Sequence, residues 1–234
     1  MKFIIFLPLF IITLLGCQSN KGVELEIINQ EVISLKVRPA ETLKYFSDST
    51  FRLKSKNIIT YKLTNNDDKT YFFNLNWYSH QLKNVNGINI GRAYLNFFDN
   101  EHKNVLTYGF SPSKGDTCYD EFTKSQQLTA KELGYKIDGM EKFYYDNNNF
   151  ILYPGETLYF EAYINLPLGG EFQYYNARFN YKKTYKAEIL MCSDSINYKK
   201  KLSRTVVRTI LKNKFEVYHG IIKSKNNIPV RFIE

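Results

Sequence analysis

The chain has 234 residues, with 32 Lys and Arg against 23 Asp and Glu and a formal net charge of +9. That length holds one large β domain or two small ones, either with a core of its own. The positive balance favours anionic lipid headgroups or acidic glycans, although cations spread along a chain also serve plain solubility. No nucleic-acid motif accompanies the charge, so nucleic acid is not expected as a partner.

The first residues, Met1-Lys2, carry one positive charge and lead into an apolar run that extends from Phe3 to Leu15 and ends at the small residue Gly16. The run is about 13 residues, short of the roughly 20 that a transmembrane helix needs, and it has the regions of an export signal. Leu14-Leu15-Gly16-Cys17 resembles the lipobox of bacterial lipoproteins, which signal peptidase II cuts before the cysteine. The resemblance implies that residues 1–16 are removed and that Cys17 becomes a lipidated first residue anchored in a membrane. Several acyl chains on one residue hold a protein durably, at about 0.8 kcal/mol per buried CH₂. Gln18 in place of an acid after Cys17 implies, by the same likeness, an outer membrane destination facing the periplasm. Cutting there removes a single charge, Lys2, and leaves 218 residues carrying +8. Residues 17–22 then form a short tether and residues 23–234 the body.

The body begins with Val23-Glu24-Leu25-Glu26-Ile27 and Ile33-Ser34-Leu35-Lys36-Val37, both alternating with period two as half-buried strands do. Residues 57–64 and 70–75 are β-branched and aromatic, and the Asn-Asp run between them suits a turn, which predicts a hairpin. A second hairpin is predicted from residues 92–98 and 102–106 around Asp99-Asn100-Glu101, with Ala93, Leu95 and Phe97 on one face. Residues 111–148 break the pattern. They read as an irregular insertion with one helix inside residues 120–133, too long for a simple turn and the first place to seek a binding surface.

Strands resume at residues 150–152, turn at Tyr153-Pro154-Gly155-Glu156, and continue at 157–164 with Leu158, Phe160, Ala162 and Ile164 towards the core. Further strands are expected at 172–181, 184–192, 214–223 and 228–233. The β-branched stretch 202–211 leans to strand as well. About ten short strands predict an all-β fold, an antiparallel immunoglobulin-like sandwich with an irregular, part-helical insertion, a small barrel being the alternative. Residues 57–76, the Leu95 to Asp99 strand and the Pro154-Gly155-Glu156 turn together resemble immunoglobulin-like domains of the intracellular proteinase inhibitor family. That likeness implies the fold.

Cys118 and Cys192 are left open between a disulfide, in a compartment where disulfides persist, and two buried thiols. His80, His102 and His219 stand far apart with no metal-ligand spacing, so no metal or cofactor is expected. No nucleophile elbow, phosphate loop or His-Glu-x-x-His helix occurs. Among 19 Tyr and 18 Phe, the pairs Trp77-Tyr78, Tyr144-Tyr145 and Tyr174-Tyr175 should each turn one ring outward, making Trp77, Tyr144, Tyr145 and Tyr174 a candidate binding surface. Asp48-Ser49-Thr50 and Asp194-Ser195-Ile196 resemble the acceptor sites of O-glycosylation in the Bacteroidetes lineage, which implies glycans on Ser49 and Ser195.

The expected function is that of a non-enzymatic envelope lipoprotein binding a protein or glycan partner near the membrane. Two alternatives stand beside it. One is an envelope-polymer hydrolase using acids of the insertion such as Asp120, Glu121, Glu141 and Asp146. The other is a structural subunit of an envelope assembly.

Overall fold

The computed structural model of the chain describes residues 22–37, 54–75, 87–110, 148–167, 169–170, 174–196 and 198–234. In chain order the strands are β1 (Val23–Ile27), β2 (Val32–Leu35), β3 (Lys56–Asn65), β4 (Tyr71–Phe73), β5 (Gly87–Asn89), β6 (Tyr94–Asp99) and β7 (Thr107–Phe110). They continue as β8 (Phe150–Leu152), β9 (Thr157–Asn165), β10 (Gly169–Gly170), β11 (Tyr174–Ala177) and β12 (Tyr185–Ser193). Two helices follow, α1 (Tyr198–Lys201) and α2 (Arg204–Asn213), and then β13 (Glu216–Val217), β14 (Gly220–Lys223) and β15 (Ile228–Ile233). The described body is predominantly β with antiparallel sheets, as the period-two alternation implies.

Three sheets arise. The first has the order β1-β3-β9-β10-β11-β7, the second β2-β15-β12-β6-β5 with β14 also on β12, and the third β13-β4-β8. Two pairs run parallel, β15 with β2 and β13 with β4. Register explains the core directly. In the first sheet Leu25 lies opposite Leu63, and Tyr61 opposite Phe160; in the second, Leu95 lies opposite Ile189 and Phe97 opposite Ala187. These inward rows, with Ala93, Met191 and Ile164, bury into one shared core. Leu158 and Ala162 pack against it half-buried, so the face expected of β9 holds.

The third sheet is covered on both sides. Phe73, Phe150, Tyr71 and Leu152 turn to the main core, whereas the row Val217, Phe72 and Ile151 meets Leu202, Val206, Val207 and Ile210 of the helical segment in a second, smaller core.

Three asparagine amides extend strand pairing where the backbone ladder stops. Asn57 donates to the carbonyl of Ile33 at 2.8 Å and accepts its N–H at 2.7 Å, and Asn226 does the same for Ile27 at 2.8 Å each way. Asn29 donates to Ile58 O at 2.8 Å and accepts from Thr60 N–H at 2.7 Å. Each side chain satisfies peptide groups that would otherwise lie unpaired at a strand end.

Several sequence expectations are corrected. Residues 57–64 and 70–75 do not form a hairpin: β3 already has β1 on one side and β9 on the other, so no edge is left for β4, which enters the third sheet. Asn65 makes the departure by donating to Lys69 O at 2.7 Å and to Leu152 O at 3.3 Å. The second hairpin contracts to a turn at Asp99 and a single bridge between Phe98 and Asn104, and β7 pairs with β11 in the other sheet. Residues 214–223 divide between the third and second sheets at Gly220, whose φ of 132° suits a residue without a Cβ.

The lean to strand at 202–211 is overturned by α2. Ser203 caps it by accepting from Val206 N–H at 3.3 Å, and Lys214 closes it with φ 57°. Val206, Val207 and Ile210 fall on one helical face, and burying that face against the third sheet outweighs β-branched propensity. The turn at Pro154 and Gly155 stands as expected, with Gly155 at φ 72°.

Candidate functional site

On the side of the first sheet away from the core, the same registers that bury Leu63 and Phe160 bring out the intervening residues. Glu24, Thr64 and Thr157 form one row; Glu26, Lys62 and Tyr159 the next; then come Thr60 with Glu161, Ile58 with Tyr163, and Lys56 with Asn165. Tyr159 is 66 % exposed and Ile58 49 %, an aromatic and a β-branched side chain open to solvent on a continuous sheet face. Tyr159 and Tyr163 are four residues apart on one strand, about 13 Å.

Polar contacts brace this face. Lys62 reaches Glu26 at 3.0 Å, and Lys225 reaches Glu26 at 2.9 Å and Glu24 at 2.6 Å. The hydrogen bond from Lys225, then that from Lys62, holds the Glu26 carboxyl below its ordinary range. Asn165 donates to the Tyr163 hydroxyl at 2.8 Å, and the Lys56 ammonium lies 5.7 Å from the Tyr163 ring centroid. Tyr163 is thereby held in place, while Tyr159 and Ile58 present apolar surface on either side of the Thr60 and Glu161 row. Such a face can stack a sugar ring or pack a partner side chain.

The sequence candidates divide. Cys17, Ser49, Trp77, Cys118, Tyr144 and Tyr145 lie outside the described residues, as do Asp120, Glu121, Glu141, Asp146 and His80. Tyr174 stands in β11, in register with Phe110 and Gly169. Cys192 is buried in β12, opposite Ile221.

Ser195 is half-buried just after β12, in a turn where Asp194 Oδ1 accepts from Ile196 N–H at 2.7 Å. His219 Nδ1 lies 3.6 Å from that carboxylate and accepts the backbone N–H of Ser195 at 3.3 Å. The Asp-Ser-His grouping thus orders a loop through the main chain. His102 stacks on Phe98 with ring centroids 5.6 Å apart.

Among the described residues, no group of three or more His, Cys, Asp or Glu is placed to hold a metal ion. None of the described helices is long and apolar enough to cross a membrane.

The face built on Tyr159, Tyr163 and Ile58 was missed as a site, although its signal was present. Once Leu158, Phe160, Ala162 and Ile164 point inward, Tyr159 and Tyr163 must point outward. No family model, curated protein or solved structure matches the chain.

Proposed function

We propose that the protein is a lipid-anchored, non-enzymatic envelope protein whose outer first-sheet face binds a protein or glycan partner close to the membrane. The observation that carries the binding role is the exposed Tyr159, two rows from Ile58 and Tyr163 on the same outer face, with Lys62, Glu26, Glu24 and Lys225 beside it already paired to one another. A free-standing tyrosine offers rigid amphipathic area at little entropic cost. The address rests on the Leu14-Leu15-Gly16-Cys17 sequence, with Cys17 as the acylated residue and the outer membrane, facing the periplasm, as the destination. In this reading the body is an immunoglobulin-like sandwich. Support comes from the two larger sheets, which share a single core and whose strands pair mainly antiparallel.

The test places a photo-crosslinking residue at Tyr159 in intact cells and a second at the exposed Lys186 on the other large sheet. Adducts from position 159 alone, lost when Ile58→Asp is added, are expected. Equal adducts from both positions, or none from 159, refute the binding face. Mass analysis of the purified amino terminus tests the anchor separately, with an acylated Cys17 expected.

A further inference from the structure

Residues 198–214 carry seven Lys or Arg and no Asp or Glu. The fold gathers six of these into α1 and α2, a short helical layer on the third sheet, and sets Lys214 at the cap that closes α2. Lys199, Lys200, Arg204, Arg208, Lys212 and Lys214 are all exposed. At 100° per residue, Arg204, Arg208 and Lys212 form a stripe centred about 150° from the Val206, Val207 and Ile210 face that is packed down. Leu211, 53 % exposed, adds an apolar side chain beside the stripe.

Elsewhere eight of the fourteen described Lys and Arg meet a carboxylate, namely Lys36, Lys62, Lys69, Lys103, Lys183, Lys223, Lys225 and Arg231. None of the six exposed cations of the helical layer and its cap meets one among the described residues.

Nor does helix stability account for the arrangement. Lys212 suits the last turn, but Arg204 does not suit a first turn that favours acids and here contains none, and the i, i+4 pairs of Arg204 with Arg208 and of Arg208 with Lys212 repel.

The placement of the layer points to the reason. Phe215, which follows α2, meets the Tyr153 ring at a centroid separation of 6.2 Å. Tyr153 belongs to the turn in which Gly155 N–H donates to Asn65 O at 2.9 Å, and Asn66 N–H donates to Gly22 O at 2.9 Å. Lys69 in the same loop is bridged to Glu216 at 2.8 Å. The C-terminal end of α2 and the point where residues 1–21 join the body therefore share one end of the molecule.

We infer that α1 and α2 form a cationic docking surface for anionic phospholipid headgroups, laid against the bilayer that holds the tether. This inference rests on the anchored reading of Cys17 for its geometry, and on the unmatched cations for its chemistry. Each Lys or Arg near an anionic surface strengthens binding about fivefold, fading beyond a Debye length.

The test reconstitutes the full chain, extracted in detergent from bacterial membranes, into vesicles of phosphatidylcholine alone or with about one third phosphatidylglycerol. Trypsin cleavage between Lys199 and Lys214 is then followed in each. Slower cleavage in the anionic vesicles, by roughly tenfold or more, is expected, and high salt should abolish the difference. The variant Lys200→Gln, Arg204→Gln, Arg208→Gln, Lys212→Gln leaves Ser203 and Ile210 intact. Its anionic-vesicle flotation, measured on chain made without residues 1–17, should fall at least tenfold below that of the parental chain.

Equal cleavage in both vesicle types overturns the inference, as does anionic binding undiminished in the variant. Protection by a soluble acidic polysaccharide but not by anionic vesicles also overturns it, in favour of a glycan. Flotation of the full chain with neutral vesicles reports the anchor alone, so failure there is distinguishable from failure of the cationic surface.

Discussion

Phe73→Ala is the most informative single perturbation of the body, because Phe73 joins the third sheet to the main core. Its ring is fully buried between Phe150, stacked at 4.8 Å and 10°, and Tyr218, stacked at 5.0 Å and 13°. Truncating a buried Phe to Ala costs about 3–5 kcal/mol, and the loss of two ring contacts worth about 0.5–1.5 kcal/mol each puts this site at or above the top of that range. About 5 kcal/mol is a large share of the 5–15 kcal/mol by which domains are stable. With a urea dependence of about 3 kcal/mol per molar, the unfolding midpoint should drop by roughly 1.5 M, followed by far-UV circular dichroism and Trp fluorescence together. Phe73→Leu keeps most of the volume but loses the stacking, and should cost about 1–3 kcal/mol. A midpoint drop under about 0.5 M for the alanine variant, with unchanged slope, would refute the assignment of this ring as the joint between the third sheet and the main core.

Two further outcomes follow from polar contacts. Asn57→Leu removes both hydrogen bonds to the Ile33 peptide and leaves its N–H and C=O without the amide, so a loss of about 2–4 kcal/mol is expected in the same urea experiment, and a neutral result would reject the strand-extension role. The Asp99 carboxyl is held below its ordinary range first by Lys183, 2.6 Å away, and then by the Lys103 and Glu101 amides. A depressed folded-state value means that this contribution is complete above the ordinary carboxylate range and lost as pH falls through the lowered value. Thermal midpoints taken from pH 6 down to about 2 should therefore fall less steeply in Asp99→Asn than in the parental chain, and parallel curves would reject the coupling.

Much of the strand content was legible because alternation is a local property. β1, β9, β12 and β15 can be read from their own residues, and the inward set of β9 follows from counting by two. Pairing was not legible, because it depends on which edges other strands have already taken. The Asn-Asp run after β3 has the chemistry of a hairpin turn, yet β9 occupies the edge that β4 would need. α2 was misread for a related reason. Val206 and Val207 favour a strand in isolation, and only the presence of Phe72 and Ile151 beneath them makes the helical face worth burying. The exposed tyrosines were half legible: β9 gives their direction, but that no described element covers Tyr159 depends on how the other strands are arranged.

The position of β15 has a bearing on biogenesis. It lies inside the second sheet, between β2 near the start of the body and β12, and it leaves the ribosome after every other described strand. Until it arrives, β2 lacks its sheet neighbour and the inner rows beside Val230 stay uncovered. Closure of the second sheet must therefore wait until Ile228–Ile233 has been made, so β2 and β12 stay unjoined while the intervening residues are still being synthesised.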